Sequence, residues 1–359
     1  MMVHVELGER SYPIYVDTNG LPRLNDYLGR HHLVDRLYII TDENVRSLYG
    51  ETMLRSLRDA GRGADLLSVP AGEGSKSFEQ LNWLYTQLLE KGADRGSIII
   101  ALGGGVVGDL AGFVAATFMR GIRFVQAPTT VLAQVDSSVG GKVGINHALG
   151  KNLIGAFHQP QFVLIDARTL ATLPEREVRA GCVEILKYGY IADRDFFQQI
   201  AANLTALFAL ESTIIESALR TSCSIKADVV SRDERESGLR ATLNFGHTIG
   251  HAIEAATNYK VYLHGEAVLY GMQAALYLSH RAGTLTKRLL DESVALFRQF
   301  KAPRLPDLDE CALLAAMQKD KKRSARGQQW VLLHDIGRAY LTREVKEEWV
   351  REAIAFMKS

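Results

Sequence analysis

The sequence predicts an α/β N-terminal domain with a mostly parallel, Rossmann-like sheet, followed by an all-α C-terminal domain, with a site in the interdomain cleft. Three observations predict it. The chain has 359 residues, more than one typical domain. Up to about residue 173, short Ile/Val/Leu-rich runs alternate with amphipathic stretches, the pattern of parallel strands and the helices that cover them. Beyond that point long amphipathic segments dominate, which puts the boundary between residues 1–173 and 174–359.

The elements follow in order. MMVHVELGERSYPIYVD alternates like a hairpin and lacks the basic-then-apolar layout of a secretory signal. RLYIITDEN, ADLLSVPAGEG, SIIIALGGG, RFVQAPTT and QFVLIDARTL read as five strands, each ending in a polar or glycine turn. SFEQLNWLYTQLLEKG reads as a helix stopped by Gly92. Pro174 sits where it starts a helix, and REVRAGCVEILKYGYI, ESTIIESALRTSCSIKADVVSRD and TLNFGHTIGHAIEAAT carry the helical half. No repeat or low-complexity linker separates the halves, so they are expected to pack together, and the cleft between them is the default ligand site.

Composition narrows the function classes. A net charge of +1 gives no bulk attraction to nucleic acid or membrane, and no apolar run reaches the length of a membrane span. Cys182, Cys223 and Cys311 are far apart and form no C-x-x-C, so they read as ordinary buried thiols with no oxidised framework, and the cytoplasm is the simplest location.

The chemistry starts at the glycine loop. Gly103, Gly105 and Gly108 satisfy G-x-G-x-x-G, and Gly103 to Gly105 let backbone approach a ligand closely. A helix opening there points free N–H groups at an anion, and a pyrophosphate fits. Asp109 just after the loop disfavours a further phosphate. The acidic residue that follows such a loop by about 20 positions in nicotinamide dehydrogenases is missing. Other strand ends supply polar groups instead: Asp42, Glu73 with Lys76, and Thr129 with Thr130.

Metal-ligating residue types cluster later. Asn244, His247 and His251 fall at i, i+3 and i+7, on one face of a predicted helix, and His264 sits at a predicted helix start. Thr248 stands where a zincin protease has its glutamate base, which disfavours that class. Glu184 and Lys187 lie one turn apart on an earlier helix, and a glutamate with two histidines is a sound zinc set with an open fourth position. Spacing leaves open which histidines take part. Arg120, Lys142, Lys151, Asn152, Lys187, Lys226 and Arg240 add groups beside glycines or polar turns, and Lys142 and Lys151 read as embedded in glycine-rich, mostly apolar loops, where an anionic ligand is expected. A dinucleotide, one divalent metal and a cation-rich pocket fit metal-dependent oxidation of a secondary alcohol on a small anionic substrate.

ALGGGVVGDLAGFVAATFMRG, FVQAPTTVLAQVDSSVGGKVGINHALGKNLIGAFHQP, AGCVEILKYG, IKADVVSRDERESGLRATLNFGHTIGHAIE and YLHGEAV together resemble the 3-dehydroquinate synthase family, near-continuously from about residue 37 to 280. The resemblance implies conversion of 3-deoxy-D-arabino-heptulosonate 7-phosphate to 3-dehydroquinate and phosphate, a step of the shikimate route to aromatic amino acids. It implies NAD+ as a true catalyst, oxidising the C5 hydroxyl and regenerated within the turnover, so that the net reaction is not a redox one. β-Elimination of phosphate, reduction, ring opening and aldol closure complete the sequence, and the departing phosphate itself takes the C6 proton.

The same resemblance implies residue roles. Zinc or cobalt falls to Glu184, His247 and His264. Lys142, Asn152, Asn244, Lys226 and Arg240 match groups that hold the substrate phosphate and carboxylate, His251 matches a substrate-site histidine, and Asp136 and Lys187 match polar groups around the reacting carbons. Arg120 matches an arginine that reaches the phosphate from a neighbouring subunit, which implies a homodimer. Asp42, Glu73, Lys76, Gly104, Gly105, Val106, Val107, Gly108, Asp109, Thr129, Thr130, Lys142, Lys151, Thr169 and Thr172 match NAD contacts. Val143 and Gly74 depart from residues common in the family, and the DKK run at 320–322 leaves Lys321 and Lys322 equally matched to a phosphate contact. Competing expectations are another sugar-phosphate cyclase, a metal-dependent polyol dehydrogenase and a non-catalytic nucleotide-binding module.

Overall fold

The computed structural model describes residues 2–305, 308–321 and 328–358, with only the backbone of 318–321. The chain forms two compact units. The first holds residues up to Leu173 together with Ile215–Ser231; the second holds Pro174–Ile214 and the residues from Arg232 on.

Strands β1 (Met2–Val5), β2 (Tyr12–Val16), β3 (Leu37–Asp42), β4 (Ala64–Val69), β5 (Ile98–Gly103), β6 (Arg123–Pro128) and, after a separate ribbon, β9 (Val163–Ile165) build one seven-stranded sheet. Its order is β1-β2-β9-β6-β5-β3-β4. Only the β1/β2 pair is antiparallel; β2/β9, β9/β6, β6/β5, β5/β3 and β3/β4 all run parallel. Buried on both faces, the central strands read as unbroken apolar runs, and every residue of β5 is buried.

The two-residue period divides these runs between two cores. Tyr38, Ile40, Ile99 and Ala101 pack with Leu84, Leu88, Leu110 and Val114 from the Phe78–Glu90 and Gly105–Thr117 helices. Leu37, Ile39, Ile98, Ile100 and Leu102 pack with Leu28 and Leu57 from the Leu24–Arg30 and Glu51–Asp59 helices. From β3 the chain first adds β4 on one side and then β5 on the other. The strand order therefore reverses between β3 and β5, which places a crevice outside their carboxyl ends, at Asp42 and Gly103.

Lys142 and Lys151, expected in glycine-rich loops, lie in a two-stranded antiparallel ribbon of β7 (Lys142–His147) and β8 (Gly150–Phe157). Its backbones approach too closely for side chains at one pair: a Cβ on Gly155 would stand 2.2 Å from the Val143 carbonyl oxygen.

The second unit is mainly helical but not wholly so. Strands β10 (Trp330–Asp335) and β11 (Arg338–Thr342) form an antiparallel hairpin, which corrects the all-α expectation. The apolar side chains Trp330 and Leu332 join Ile249, Ile253, Ala274, Leu278 and Ile354 in one core, so the hairpin is held by burial and needs no partner sheet. No described helix is long and apolar enough to cross a membrane.

Candidate functional site

In the first unit the polar groups gather around the glycine loop. Gly104 precedes the Gly105–Thr117 helix, whose opening turn runs through Val106, Val107 and Gly108. The first intrahelical bond there is from Gly108 N–H to the Gly104 carbonyl, 3.0 Å, leaving the earlier N–H groups directed outward at the crevice. None of the three consecutive glycines has a positive φ. Close packing explains them: a Cβ on Gly103 would stand 2.7 Å from Val107, and one on Gly104 3.2 Å from Thr130.

Lys76, from the turn after β4, is buried and ion-pairs with Asp109 at 2.6 Å. Burial raises the Asp109 carboxyl above its ordinary value, and the Lys76 ammonium pulls it back down. The same ammonium meets the Asn152 side-chain oxygen. Asn146, which is not among the residues the sequence singles out, ties this group together. Its amide donates to Glu73 at 2.8 Å, its N–H donates to the Lys76 carbonyl at 2.8 Å, and its side-chain oxygen accepts from Asn152 N–H at 2.9 Å. A lone asparagine in VGINH carries no local signal; only the ribbon's fold brings it beside Lys76. Asn152 itself is left-handed, with φ +54°.

The other first-unit positions are placed as follows. Asp42 caps the turn after β3, accepting from Val45 N–H at 3.0 Å. Thr129 N–H donates to the Gly103 carbonyl at 3.0 Å, and the Thr130 hydroxyl accepts from Ala133 N–H at 3.1 Å. Thr172 shares a 2.6 Å hydrogen bond with Tyr49. The buried Thr169 hydroxyl donates to the Asp166 carbonyl and accepts from Gln134. Lys142 opens β7 and is exposed, and Lys151 is half-buried on β8. Arg120 is exposed in a left-handed run with Met119 and Gly121, φ +50°, +72° and +116° in chain order. Lys226, on the Ser212–Arg232 helix, reaches Asp136 in the same unit.

The second unit holds the metal-type ligands. Glu184 and Lys187 are buried one turn apart on the Glu175–Ala192 helix and form an ion pair. His247 and His264 are each the first residue of a helix, His247–Ala256 and His264–Arg281. Asn244 does not share the His247 helix face, contrary to expectation. It closes a 3₁₀ turn, Leu239–Asn244, and Gly246 at φ +81° separates it from the helix. There the Asn244 amide donates to Glu236 at 2.6 Å. Arg240 is buried; its N–H donates to Asp233 at 3.0 Å and its guanidinium donates to the Glu234 carbonyl.

His247 Nε2 lies 3.8 Å from Glu184 Oε1, and His264 Nε2 lies 4.0 Å from the same oxygen. That oxygen is fully buried with no hydrogen-bond partner among the described residues. A carboxylate oxygen in such a place is costly unless a cation completes it. Burial, then the Lys187 ammonium and the His264 and His251 rings, hold His247 well below its ordinary pKa, so its ring is neutral at pH 7. His247 Nδ1 is 3.2 Å from the Phe245 carbonyl, which can only accept, so the proton sits on Nδ1 and the Nε2 lone pair is free. Ligand atoms of Glu184, His247 and His264 all lie within 4.8 Å of one another. One carboxylate and two imidazoles suit zinc or cobalt, which bind such donors at about 2.0–2.2 Å. The residues present fit a single divalent ion. His251 is exposed, one turn past His247, with its ring 5.3 Å from that of His247. Lys322 lies outside the described residues, as does the Lys321 side chain.

Known proteins resemble this chain over nearly its whole length. A family model described as 3-dehydroquinate synthase N-terminal matches residues 66–180, and one described as 3-dehydroquinate synthase C-terminal matches residues 181–323. A 3-dehydroquinate synthase of Desulforamulus reducens is 47% identical over 350 residues, covering 96% of this chain and 97% of that protein. Among solved structures, 2-deoxy-scyllo-inosose synthase complexed with carbaglucose-6-phosphate, NAD+ and Co2+ aligns with TM-score 0.90 at 26% identity over 99% of both chains. The 2-epi-5-epi-valiolone synthase of Streptomyces hygroscopicus subsp. jinggangensis, with NAD+ and Zn2+ bound, aligns with TM-score 0.90 at 29% identity over 98% of both.

Proposed function

The chain belongs to the 3-dehydroquinate synthase family, and from that premise we propose that it converts 3-deoxy-D-arabino-heptulosonate 7-phosphate into 3-dehydroquinate and phosphate, with NAD+ and one divalent metal. The observation that carries the reading is the convergence of buried Glu184 with His247 and His264. The higher identity to a 3-dehydroquinate synthase than to the inosose and valiolone synthases favours this member of the cyclase group.

When bound, the metal supplies Lewis acidity at the C5 oxygen, and the nicotinamide supplies a two-electron acceptor that is returned to its starting state within the turnover. The chain's own residues position and hold charge. Glu184, His247 and His264 hold the metal; the opening turn of the Gly105–Thr117 helix receives the dinucleotide phosphates, with Asp42, Glu73, Lys76 and Asp109 beside it. Lys142, Asn152, Lys226, Arg240 and Asn244 hold the substrate's anionic groups, with His251, Asp136 and Lys187 near the reacting carbons. The proton on C6 leaves with the departing phosphate, so the fold has no need of a strong protein base; its contribution is orientation.

The same reading includes a cytoplasmic homodimer in which Arg120 serves the phosphate of a second copy. Its exposure and the left-handed backbone that presents it support that role, as the free thiols support a reducing compartment. The test follows phosphate release and NADH absorbance together, with substoichiometric NAD+ and with metal stripped and then restored. Metal-dependent release of many phosphates per NAD+ without NADH build-up is expected. No phosphate release, with a simple polyol driving NADH formation in excess NAD+, overturns the reading in favour of a dehydrogenase.

A further inference from the structure

Glu254 belongs to no role assigned so far, yet it is a buried carboxylate, 4% exposed, in a helix whose first residue is His247. His247, His251 and Glu254 stand at i, i+4 and i+7 and so share one helix face. Glu254 Oε2 lies 3.1 Å from His264 Nδ1. A carboxylate can only accept, so the His264 proton sits on Nδ1 and points at Glu254. The lone pair is then on Nε2, the atom that faces Glu184 Oε1.

We infer that Glu254 is a positioning residue for the metal: it fixes the tautomer and ring angle of His264 and makes its Nε2 a stronger donor. The inference rests on the metal site proposed above. The two histidines are held by different means. His247 is oriented by a neutral backbone carbonyl two residues before it, whereas His264 is oriented by a charged side chain from another helix. The His247–Ala256 helix thus supplies one ligand from its first turn and steadies the other ligand from its last. A carboxylate partner on a ligating imidazole strengthens metal binding, and its loss typically weakens it about 10–100-fold. The competing arrangement is a second ion: His251, Glu254 and His264 also place ligand atoms within 4.8 Å of one another.

The test uses full-length protein with Glu254→Ala and Glu254→Gln, the second nearly isosteric in case the first does not fold. Zinc affinity is measured by competition with a chelator, metal stoichiometry by direct analysis, and ligand geometry by the visible spectrum of the cobalt-loaded chain. Expected are one metal per chain throughout, affinity about 10–100-fold weaker in Glu254→Ala, a smaller loss in Glu254→Gln, whose amide oxygen still accepts from Nδ1, and a changed cobalt spectrum in both. Wild-type affinity and spectrum in Glu254→Gln and in any folded Glu254→Ala overturn the inference. Two metals in the wild type falling to one in the variants overturn it too, in favour of the second-ion site. A wild-type chain that takes up neither zinc nor cobalt overturns the metal site together with it.

Discussion

Lys226 places its ammonium 2.5 Å from the Asp136 carboxylate and 2.6 Å from the Asp136 carbonyl oxygen, across 90 positions of sequence. The lysine side chain is 7% exposed and the aspartate 23%. Removing one partner of such a pair costs most when the charge left behind is the deeper one. Asp136→Ala, which removes this counter-charge from the buried lysine and leaves it the backbone carbonyl, is expected to lose about 3 kcal/mol in urea unfolding. Lys226→Met, which takes this ammonium from the wetter aspartate, is expected to lose about 1–2 kcal/mol. Equal or reversed losses would show that the pair is held by something other than burial of the lysine.

The turn after His264 tolerates no side chain. A Cβ on Gly265 would stand 1.9 Å from the Ala180 carbonyl oxygen, on the helix that carries Glu184. Backbone cannot step aside as a flexible side chain can, so Gly265→Ala is expected to cost about 3 kcal/mol and to weaken zinc binding by parting His264 from Glu184. A melting temperature and zinc affinity equal to wild type would contradict the contact.

Thiol reactivity follows burial. The Cys223 thiol is pushed up to about 12 by burial, against the pull of Lys226, and burial raises Cys182 likewise. Cys311 is exposed. Native protein at pH 8 is expected to react rapidly with one equivalent of a thiol reagent per chain, at Cys311, and with three once unfolded. Rapid reaction of two or three in the native state would place Cys182 or Cys223 within reach of solvent.

The loop that carries Arg240 has an acid limit. Burial pushes the Asp233 carboxyl up, but N–H groups of Arg240, Ser237 and Gly238 and the Ser237 hydroxyl outweigh it, leaving a value of about 2 against an ordinary 3.8. A carboxylate held lower in the folded than in the unfolded chain contributes stability that is complete above the unfolded value and disappears as pH falls through the folded one. The stability gap between wild type and Asp233→Asn is therefore expected to stay constant above about pH 5 and to shrink as pH falls toward 2. Paired unfolding curves measure it; a gap that widens in acid would reverse the assignment.

Much of the first unit is legible from local pattern, because strands buried on both faces must be apolar throughout. SIIIALGGG and RLYIITDEN therefore announce β5 and β3 without help from the rest of the chain. The glycine loop is legible as a motif, although the reason for its glycines is steric crowding by Val107 and Thr130 rather than turn geometry. The ribbon β7–β8 is hidden in the sequence because its glycines, which usually mark loops, serve here to bring two strands together. The hairpin β10–β11 is hidden too, because only its tertiary neighbours make WVLLHD a strand of a mainly helical unit. Glu184, His247 and His264 are readable as ligand types, but their convergence depends on three helices whose packing no local pattern encodes. The expectation for Asn244 fails because Gly246 breaks a periodicity that continues smoothly in the letters.

The helix that brings Lys226 to Asp136 lies well downstream of Leu173, yet residues Ile215–Ser231 count with the first unit. Besides Lys226, its Cys223 Sγ lies 3.3 Å from the Gln134 carbonyl, its Glu216 accepts from Thr18 at 2.7 Å, and its Ser231 accepts from Glu6 N–H at 2.8 Å. A gene fragment ending at codon 173 thus encodes a sheet without one of its own struts. Chimeras between relatives joined at that codon mix parents inside a single fold, at the seam between this helix and the sheet. Grafting codons 215–231 along with the first 173 keeps the seam within one parent, which makes three crossover points, rather than one, the natural recombination boundaries of this protein.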